Sequence, residues 1–178
     1  MQAFCAHPPG WQLDALRAPF AYAGNARELI GRLKFDRQRW LGRVLGQLLR
    51  SQLASEYDLC VPVPLHRRRL AQRGFNQALE IARGAVPAIA RMQLASVMKR
   101  VRDTPPQAEL SAAARRQNLM GCFALNAVVE QRNILLVDDV VTTGSTLNAL
   151  ATLLRSHGAR QVGGIAFART VGPYTANV

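Results

Sequence analysis

The fold of this chain is decided by residues 132–147, whose sequence is RNILLVDDVVTTGSTL. The four apolar residues at 134–137 predict a strand that is buried on both faces, as strands of parallel sheets are. Two adjacent acids, Asp138 and Asp139, follow where we expect this strand to end. A run of small residues then leads into a helical pattern. This order predicts an α/β fold with a ligand site at the end of the strand.

The small-residue loop has the composition of an anion site. Its members are Val141, Thr142, Thr143, Gly144, Ser145 and Thr146. The N–H groups of such a loop converge, and the helix after it adds about half a positive charge. The loop lacks the lysine of a Walker loop and the three spaced glycines of a dinucleotide site, so both classes are excluded. Two carboxylates beside a phosphate cradle suit the vicinal hydroxyls of a ribose 5-phosphate, because a carboxylate only accepts hydrogen bonds.

Length and composition predict a single cytoplasmic domain. The chain has 178 residues, enough for a single core, and no apolar run long enough to span a bilayer. Its start lacks the basic and apolar regions of a secretory signal. The three cysteines form neither a disulfide framework nor a metal site, and Cys60 is predicted to be a core thiol. The net charge of +12 suits nucleic acid or a phosphate-rich substrate equally well.

Strands and helices alternate along the second half of the chain, which predicts a mainly parallel, doubly wound sheet with helices on both faces. Strands are predicted at 18–22, 57–64, 95–101, 123–129, 134–137 and 161–168, and helices at 26–35, 38–54, 75–92 and 111–118, with a further helix after the anion loop that ends at Gly158. The apolar positions of the second helix are predicted to be core: Trp40, Leu41, Val44, Leu45, Leu48, Leu49 and Leu53.

A second candidate site lies at residues 66–73, after the strand predicted at 57–64. It contains His66 and four arginines, and we interpret it as a loop. Since it follows the carboxyl end of a buried strand, it should share an edge of the sheet with the anion loop. Its guanidinium groups would bind a pyrophosphate through charge-assisted hydrogen bonds. A solvated basic loop or a nucleic-acid contact is the alternative.

The loop at 138–146 resembles the phosphoribosyl-diphosphate (PRPP) loop of type I phosphoribosyltransferases. The segments PVPLH at 62–66 and RGFNQ at 73–77 further resemble the ComF family of competence proteins, and the likeness extends over residues 5–168. The resemblance implies the type I phosphoribosyltransferase fold over residues 19–178, with 1–18 an irregular lead-in. It also implies Mg²⁺ bound together with PRPP, mainly through the substrate.

The resemblance also implies roles for particular residues. Asp138 and Asp139 would be the catalytic acids that hold the ribose hydroxyls, and residues 141–146 would bind the 5-phosphate. The pyrophosphate loop would comprise Pro64, Leu65, His66 and Arg67. A flexible loop that closes over the substrate would contain Arg100, Thr104 and Gln107.

The chain departs from its relatives at two places. Thr142 stands where purine-salvage relatives often carry a carboxylate, and a hydroxyl is a poor general acid at neutral pH. Many ComF relatives also begin with a four-cysteine zinc module, of which Cys5 alone remains here. One thiolate cannot hold zinc, so zinc is not expected in this chain. The explanations are a natural loss of the module or a start codon placed too far downstream.

Three functions agree with these residues. The first is a ComF-like protein that binds PRPP, or a related ribose phosphate, and supports the uptake of transforming DNA. The second is a non-catalytic adaptor that contacts single-stranded DNA or a protein of DNA uptake or replication. The third is a salvage or biosynthetic phosphoribosyltransferase without a link to DNA. The sequence leaves open whether PRPP is turned over, which acceptor is used, and the oligomeric state.

Overall fold

A parallel sheet with helices on both faces forms the body of the protein. The computed structural model describes residues 11–86, 92–102 and 121–170. The strands are β1 (Ala15–Arg17), β2 (Phe20–Ala21), β3 (Leu59–Pro62), β4 (Gln93–Leu94), β5 (Met98–Arg100), β6 (Phe123–Leu125), β7 (Asn133–Val141) and β8 (Gln161–Arg169). The helices are α1 (Gly24–Phe35), α2 (Trp40–Leu48), α3 (Arg67–Arg73), α4 (Gln77–Ala85) and α5 (Ser145–Ser156), with a 3₁₀ turn at Arg50–Gln52.

The strand order in the main sheet is β1-β8-β7-β3-β4, and every pairing is parallel. β2 pairs with β8 beyond β1, so β1 and β2 lie one after the other along the same edge. β5 and β6 form a separate antiparallel pair. The chain leaves β3 toward β4 on one side, and β7 returns on the other side of β3. The order therefore reverses between β3 and β7, which is where doubly wound sheets bind ligands.

β7 is buried on both faces, as its apolar sequence predicts. Ile134 and Leu136 belong to a core cluster that also contains the apolar side chains of α5. Leu135 and Val137 belong to a second cluster, which contains those of α1, α2 and α4. The predicted α/β sheet with helices on both faces is thus confirmed.

The predicted core thiol is confirmed as well. Cys60 lies on β3 at 1% exposure. Burial raises the pKa of Cys60 to about 12, so almost none of it is thiolate at neutral pH. Cys60 is a packing residue of the second cluster, not a nucleophile.

The second helix is shorter than predicted, and only one side of its apolar stripe is core. Leu41, Leu45 and Leu49 are buried. Trp40 and Leu48, by contrast, are 61% and 52% exposed, and Val44 is exposed as well. The face of α2 that carries Gly42 and Gly46 packs closely against the backbone of α4. The prediction that Trp40, Val44 and Leu48 are core residues is therefore wrong.

Several other predicted elements also differ. Residues 67–73, predicted as a loop, form helix α3, and residues 15–17 of the supposedly irregular lead-in form strand β1. The strands predicted at 95–101 and 123–129 are shorter and pair with each other as β5 and β6, outside the main sheet. The helix predicted at 111–118 lies outside the described residues. Within the described parts, none of the helices is long and apolar enough to cross a membrane.

Candidate ligand-binding site

Both predicted acids lie inside β7, not after it. The strand continues through Asp138 and Asp139 to Val141, because β8 continues alongside and pairs with it as far as Arg169. The prediction that the strand ends before the acids is wrong for that reason. The register still places both acids beyond the end of the paired segment of β3, at the point where the strand order reverses.

The two carboxylates differ in exposure. Asp138 is half-buried, whereas Asp139 is only 4% exposed. The Asp139 N–H donates to Oδ1 of Asp138 over 2.9 Å, so the Asp138 side chain turns toward the backbone of its neighbour. Asp138 is consequently the more accessible of the two acids.

Asp139 is held by side chains from two helices. Lys34, in the last turn of α1, forms an ion pair with its Oδ2. Gln77, in the first turn of α4, donates from Nε2 to its Oδ1 over 3.4 Å. Arg73 donates in turn to Oε1 of Gln77 over 2.5 Å. These contacts join Asp139 to α1, α3 and α4, although the residues are far apart in sequence.

The electrostatics separate the two acids further. Burial raises the pKa of Asp138 well above its ordinary value, and the adjacent Asp139 carboxylate raises it again. Burial is the largest influence on Asp139 and acts to raise its pKa, but the Lys34 ammonium together with the side-chain hydrogen bonds from Asp138, Lys34 and Gln77 outweighs burial, so the pKa is lowered. Asp139 is therefore the ionised member of the pair, and Asp138 retains its proton to higher pH.

Asp138→Asn should make the ligand-free protein more stable. A carboxyl whose pKa is raised on folding costs stability as the pH rises from its unfolded pKa to its folded pKa, and the full cost remains above that. Asparagine removes this cost and keeps an oxygen that can accept from the Asp139 N–H. Urea unfolding across a pH series should show an advantage over wild type that grows from acidic to neutral pH. An advantage that is absent, or that shrinks as the pH rises, would contradict this assignment.

The anion loop lies directly after β7 and opens α5. Gly144 has φ +77° and caps the helix, so α5 begins at Ser145. The hydroxyls of Thr143 and Ser145 lie 2.8 Å apart, and Thr143 Oγ1 also accepts from the Ser145 N–H over 3.4 Å. Thr142 is exposed and Thr146 is half-buried. The loop thus combines hydroxyls with the N-terminal N–H groups of a 12-residue helix, which is the chemistry of phosphate binding.

The candidate pyrophosphate loop lies beside the anion loop. Pro64, Leu65 and His66 connect β3 to α3, and Arg67 is the first residue of that helix. His66 is buried and caps α3, since its Nδ1 accepts from the Arg68 N–H over 3.3 Å. β3 and β7 are adjacent and parallel, so the predicted sharing of one sheet edge is confirmed.

Asn76 connects this loop to the helix that carries Gln77. Its Oδ1 accepts from the Ala78 N–H over 3.0 Å, which caps α4. Its Nδ2 donates to the carbonyl oxygen of Val63 over 2.9 Å. Asn76 therefore fixes the start of α4 against the segment after β3, and this places Gln77 next to Asp139.

The structure locates the predicted flexible loop only in part. Arg100 lies on β5, and its guanidinium carbon is 5.7 Å from the centre of the Phe123 ring on β6. Thr104 and Gln107 lie outside the described residues. Lys34 and Gln77 are the members of the site that analysis of the residues did not identify. The signal for Gln77 was its place in RGFNQ at 73–77, which resembles a segment of the ComF family.

Known proteins with similar sequences include phosphoribosyl transferase domains and proteins named for competence and DNA utilization. The profile of the phosphoribosyl transferase domain matches residues 70–172, more than half of the chain. Competence protein F of Haemophilus influenzae is 39% identical over 145 residues, which cover 75% of this chain and 63% of that protein. DNA utilization protein YhgH of Escherichia coli K12 is 36% identical over 163 residues, which cover 87% of this chain and 71% of that protein. The chain belongs to the ComF family.

ComF membership and the observed sheet agree on the fold. A solved structure of the allosteric regulatory enzyme of purine biosynthesis superposes with a TM-score of 0.51 at 23% identity, over 72% of this chain and 26% of that one. This likeness concerns the fold alone, which is that of the type I phosphoribosyltransferases. The ComF-family chain spans only 63% of the length of its Haemophilus relative. The domain match includes β7 and the anion loop, whereas the candidate pyrophosphate loop at 64–67 precedes it.

Proposed function

We propose that this ComF-family protein binds PRPP or a related ribose phosphate and acts in the uptake or handling of transforming DNA. The observation that carries the first part is the placement of the two acids of β7 directly before the anion loop, at the reversal of strand order. The second part is supported by two relatives, whose names refer to competence and to DNA utilization.

In the proposed complex, each part of the ligand has a matching part of the site. The anion loop and the start of α5 hold the 5-phosphate, and the β7 acids accept hydrogen bonds from the ribose hydroxyls. The segment from Pro64 to Arg67 faces the diphosphate on C1. If turnover occurs, an acceptor would form a bond to C1 as the bond from C1 to the diphosphate breaks and pyrophosphate leaves. The β7 carboxylates would favour the positive charge that develops on the sugar.

The chemistry of the donor set fits magnesium. In the described part of the chain, no three His, Cys, Asp or Glu side chains are grouped to hold a metal by themselves. Mg²⁺ commonly takes one or two carboxylates and completes its shell with phosphate oxygens and water. The half-buried Asp138 would supply such a carboxylate, because a bound cation favours the ionised form of the acid, and the ion would neutralise the diphosphate.

The test is calorimetric titration with PRPP and Mg²⁺. Wild type should bind, and Asp138→Asn should weaken binding by about ten- to a hundredfold. The change replaces a carboxylate whose ionised form Mg²⁺ favours by a neutral amide, and a hydrogen bond to a charged group contributes roughly 1.5–3 kcal/mol. Asp36→Asn, an exposed acid at the end of α1, is the matched control and should bind as wild type does. A folded wild type that binds no PRPP would refute the ribose phosphate proposal. Release of pyrophosphate with a panel of bases would separate a transferase from a binding module.

The exposed surface of α1 and α2 favours a second candidate, an adaptor for single-stranded DNA. Phe35 and Trp40 are 76% and 61% exposed. The exposed arginines nearby in sequence are Arg37, Arg39 and Arg43. Exposed aromatic rings among cations are typical of surfaces on which bases stack while the backbone phosphates are neutralised.

This candidate predicts single-stranded DNA binding whose affinity falls steeply with salt, because released counterions drive such binding. Trp40→Ala should weaken it by about 1–3 kcal/mol, the contribution of one stacked base. Fluorescence anisotropy with a labelled oligonucleotide at several salt concentrations provides the measurement. Val128→Ala removes an apolar side chain that is 85% exposed on another part of the molecule, and it should have no effect. No binding at low salt would remove the direct DNA role.

A further inference from the structure

Lys34 forms an ion pair with Asp139, one of the two acids of the proposed ribose site. Its ammonium contacts Oδ2 of Asp139, and the two side chains are 20% and 6% exposed. The chain has only one other lysine, Lys99, which is exposed on β5. A mostly buried ion pair therefore lies at the end of β7, where the proposed ligand would bind.

Two donors already meet Asp139 in the ligand-free protein. Gln77 donates to one oxygen and Lys34 contacts the other. A ribose hydroxyl that reaches Asp139 must share or replace one of these partners. Gln77 is held by Arg73 and begins a helix that Asn76 caps, so it is fixed from two sides. Lys34 has a flexible stem and three donors, so it is the partner that moves most easily.

An ammonium that leaves Asp139 needs another anion, because an unpaired charge in a mostly buried position is unfavourable. PRPP supplies one. Its diphosphate is attached to C1, the neighbour of the carbon that carries the 2-hydroxyl. Ribose 5-phosphate has no charge at C1, and its single phosphate belongs to the anion loop at the far end of the sugar.

We propose that Lys34 exchanges Asp139 for the C1 diphosphate when the ligand binds, and so selects PRPP over ribose 5-phosphate. This inference rests on the proposed function, since it names a specificity residue of the same site. The Asp139 carboxylate that Lys34 releases then accepts from the ribose, while Gln77 and Arg73 keep it in place.

The experiment compares two ligands on three proteins. PRPP and ribose 5-phosphate, each with Mg²⁺, are titrated calorimetrically into wild type, Lys34→Met and Lys99→Met. Lys34→Met should weaken PRPP binding by about ten- to a hundredfold, the contribution of one charged hydrogen bond. Ribose 5-phosphate should bind to Lys34→Met as tightly as to wild type or more tightly, because the Oδ2 atom of Asp139 no longer pairs with an ammonium. Lys99→Met should match wild type with both ligands.

A second readout follows Lys34 directly. With ¹³C-labelled lysine the protein gives side-chain NMR signals from two residues only, and the Lys99→Met variant assigns them. The Lys34 signals should shift on adding PRPP and should shift differently on adding ribose 5-phosphate. Identical shifts with both ligands would overturn the exchange.

The outcomes separate this inference from the function on which it rests. Suppose that wild type binds PRPP. If Lys34→Met then weakens the binding of both ligands equally, or leaves the binding of both unchanged, Lys34 does not contact the diphosphate and the inference is wrong. If wild type binds neither ligand, the proposed function fails and the inference falls with it. Lys34→Arg keeps the positive charge and serves as the second variant in case Lys34→Met does not fold. A folded arginine variant that binds PRPP no more tightly than ribose 5-phosphate would also overturn the inference.

Discussion

Gly46→Ala is expected to destabilise the protein by about 2 kcal/mol or more, although alanine is the better helix former. A Cβ at Gly46 would lie 2.0 Å from the Ile81 carbonyl oxygen and 2.9 Å from the Gly84 Cα. Both atoms belong to the backbone of α4, so no side-chain rotation relieves the clash, and the two helices must separate. A loss of 2 kcal/mol should lower the melting temperature by roughly 4–8 °C in a chain of this size.

Gly31→Ala is the matched control for Gly46→Ala. Gly31 lies inside α1, and a Cβ there would meet no atom within 4 Å. This variant should gain roughly 0.5–1 kcal/mol from helix propensity alone. Chemical denaturation of both variants measures the difference, and equal stabilities would show that α2 and α4 are not in close contact. Because α4 carries Gln77, Gly46→Ala should also disturb the partner of Asp139.

Gly144→Ala is expected to reduce both stability and ligand affinity. Its φ of +77° is a conformation that costs an L side chain about 1–2 kcal/mol. A Cβ would also lie 2.5 Å from Cη2 of the Trp11 ring. Displacing Trp11 or the loop should bring the total loss to roughly 2–3 kcal/mol. Since Gly144 sets the first N–H groups of α5, PRPP affinity should fall at least about tenfold.

Two companion variants separate backbone strain from the clash with Trp11. Gly74→Ala introduces a side chain at φ +84° with no atom within 4 Å, so it should lose only the backbone contribution. Trp11→Ala combined with Gly144→Ala should be less destabilised than the sum of the single changes, because the clash is absent. Urea unfolding and PRPP titration of wild type, Gly144→Ala, Trp11→Ala, the double variant and Gly74→Ala provide the data. Strict additivity would mean that Trp11 does not restrict the loop.

The site was predictable as far as it lies in continuous segments. The acids, the anion loop and the start of α5 are contiguous in sequence, and their order alone indicates a phosphate site beside carboxylates. The pyrophosphate loop could be placed near them because carboxyl ends of parallel strands share an edge. The helical form of residues 67–73 escaped prediction, because four arginines in a short polar segment show no apolar periodicity.

The sequence by itself determined the fold class, the two-sided burial of β7 and the position of the anion loop, because each follows from local composition and period. Only the tertiary structure decided which acid is ionised, since Lys34 and Gln77 reach Asp139 from helices distant in sequence. It also decided which side of α2 is core. Trp40 and Leu41 both belong to the apolar stripe of α2, but the helix packs against α4 through Gly42 and Gly46, and in this orientation Leu41 is buried whereas Trp40 is exposed. Local patterns specify elements, whereas partners between elements depend on how closely those elements pack.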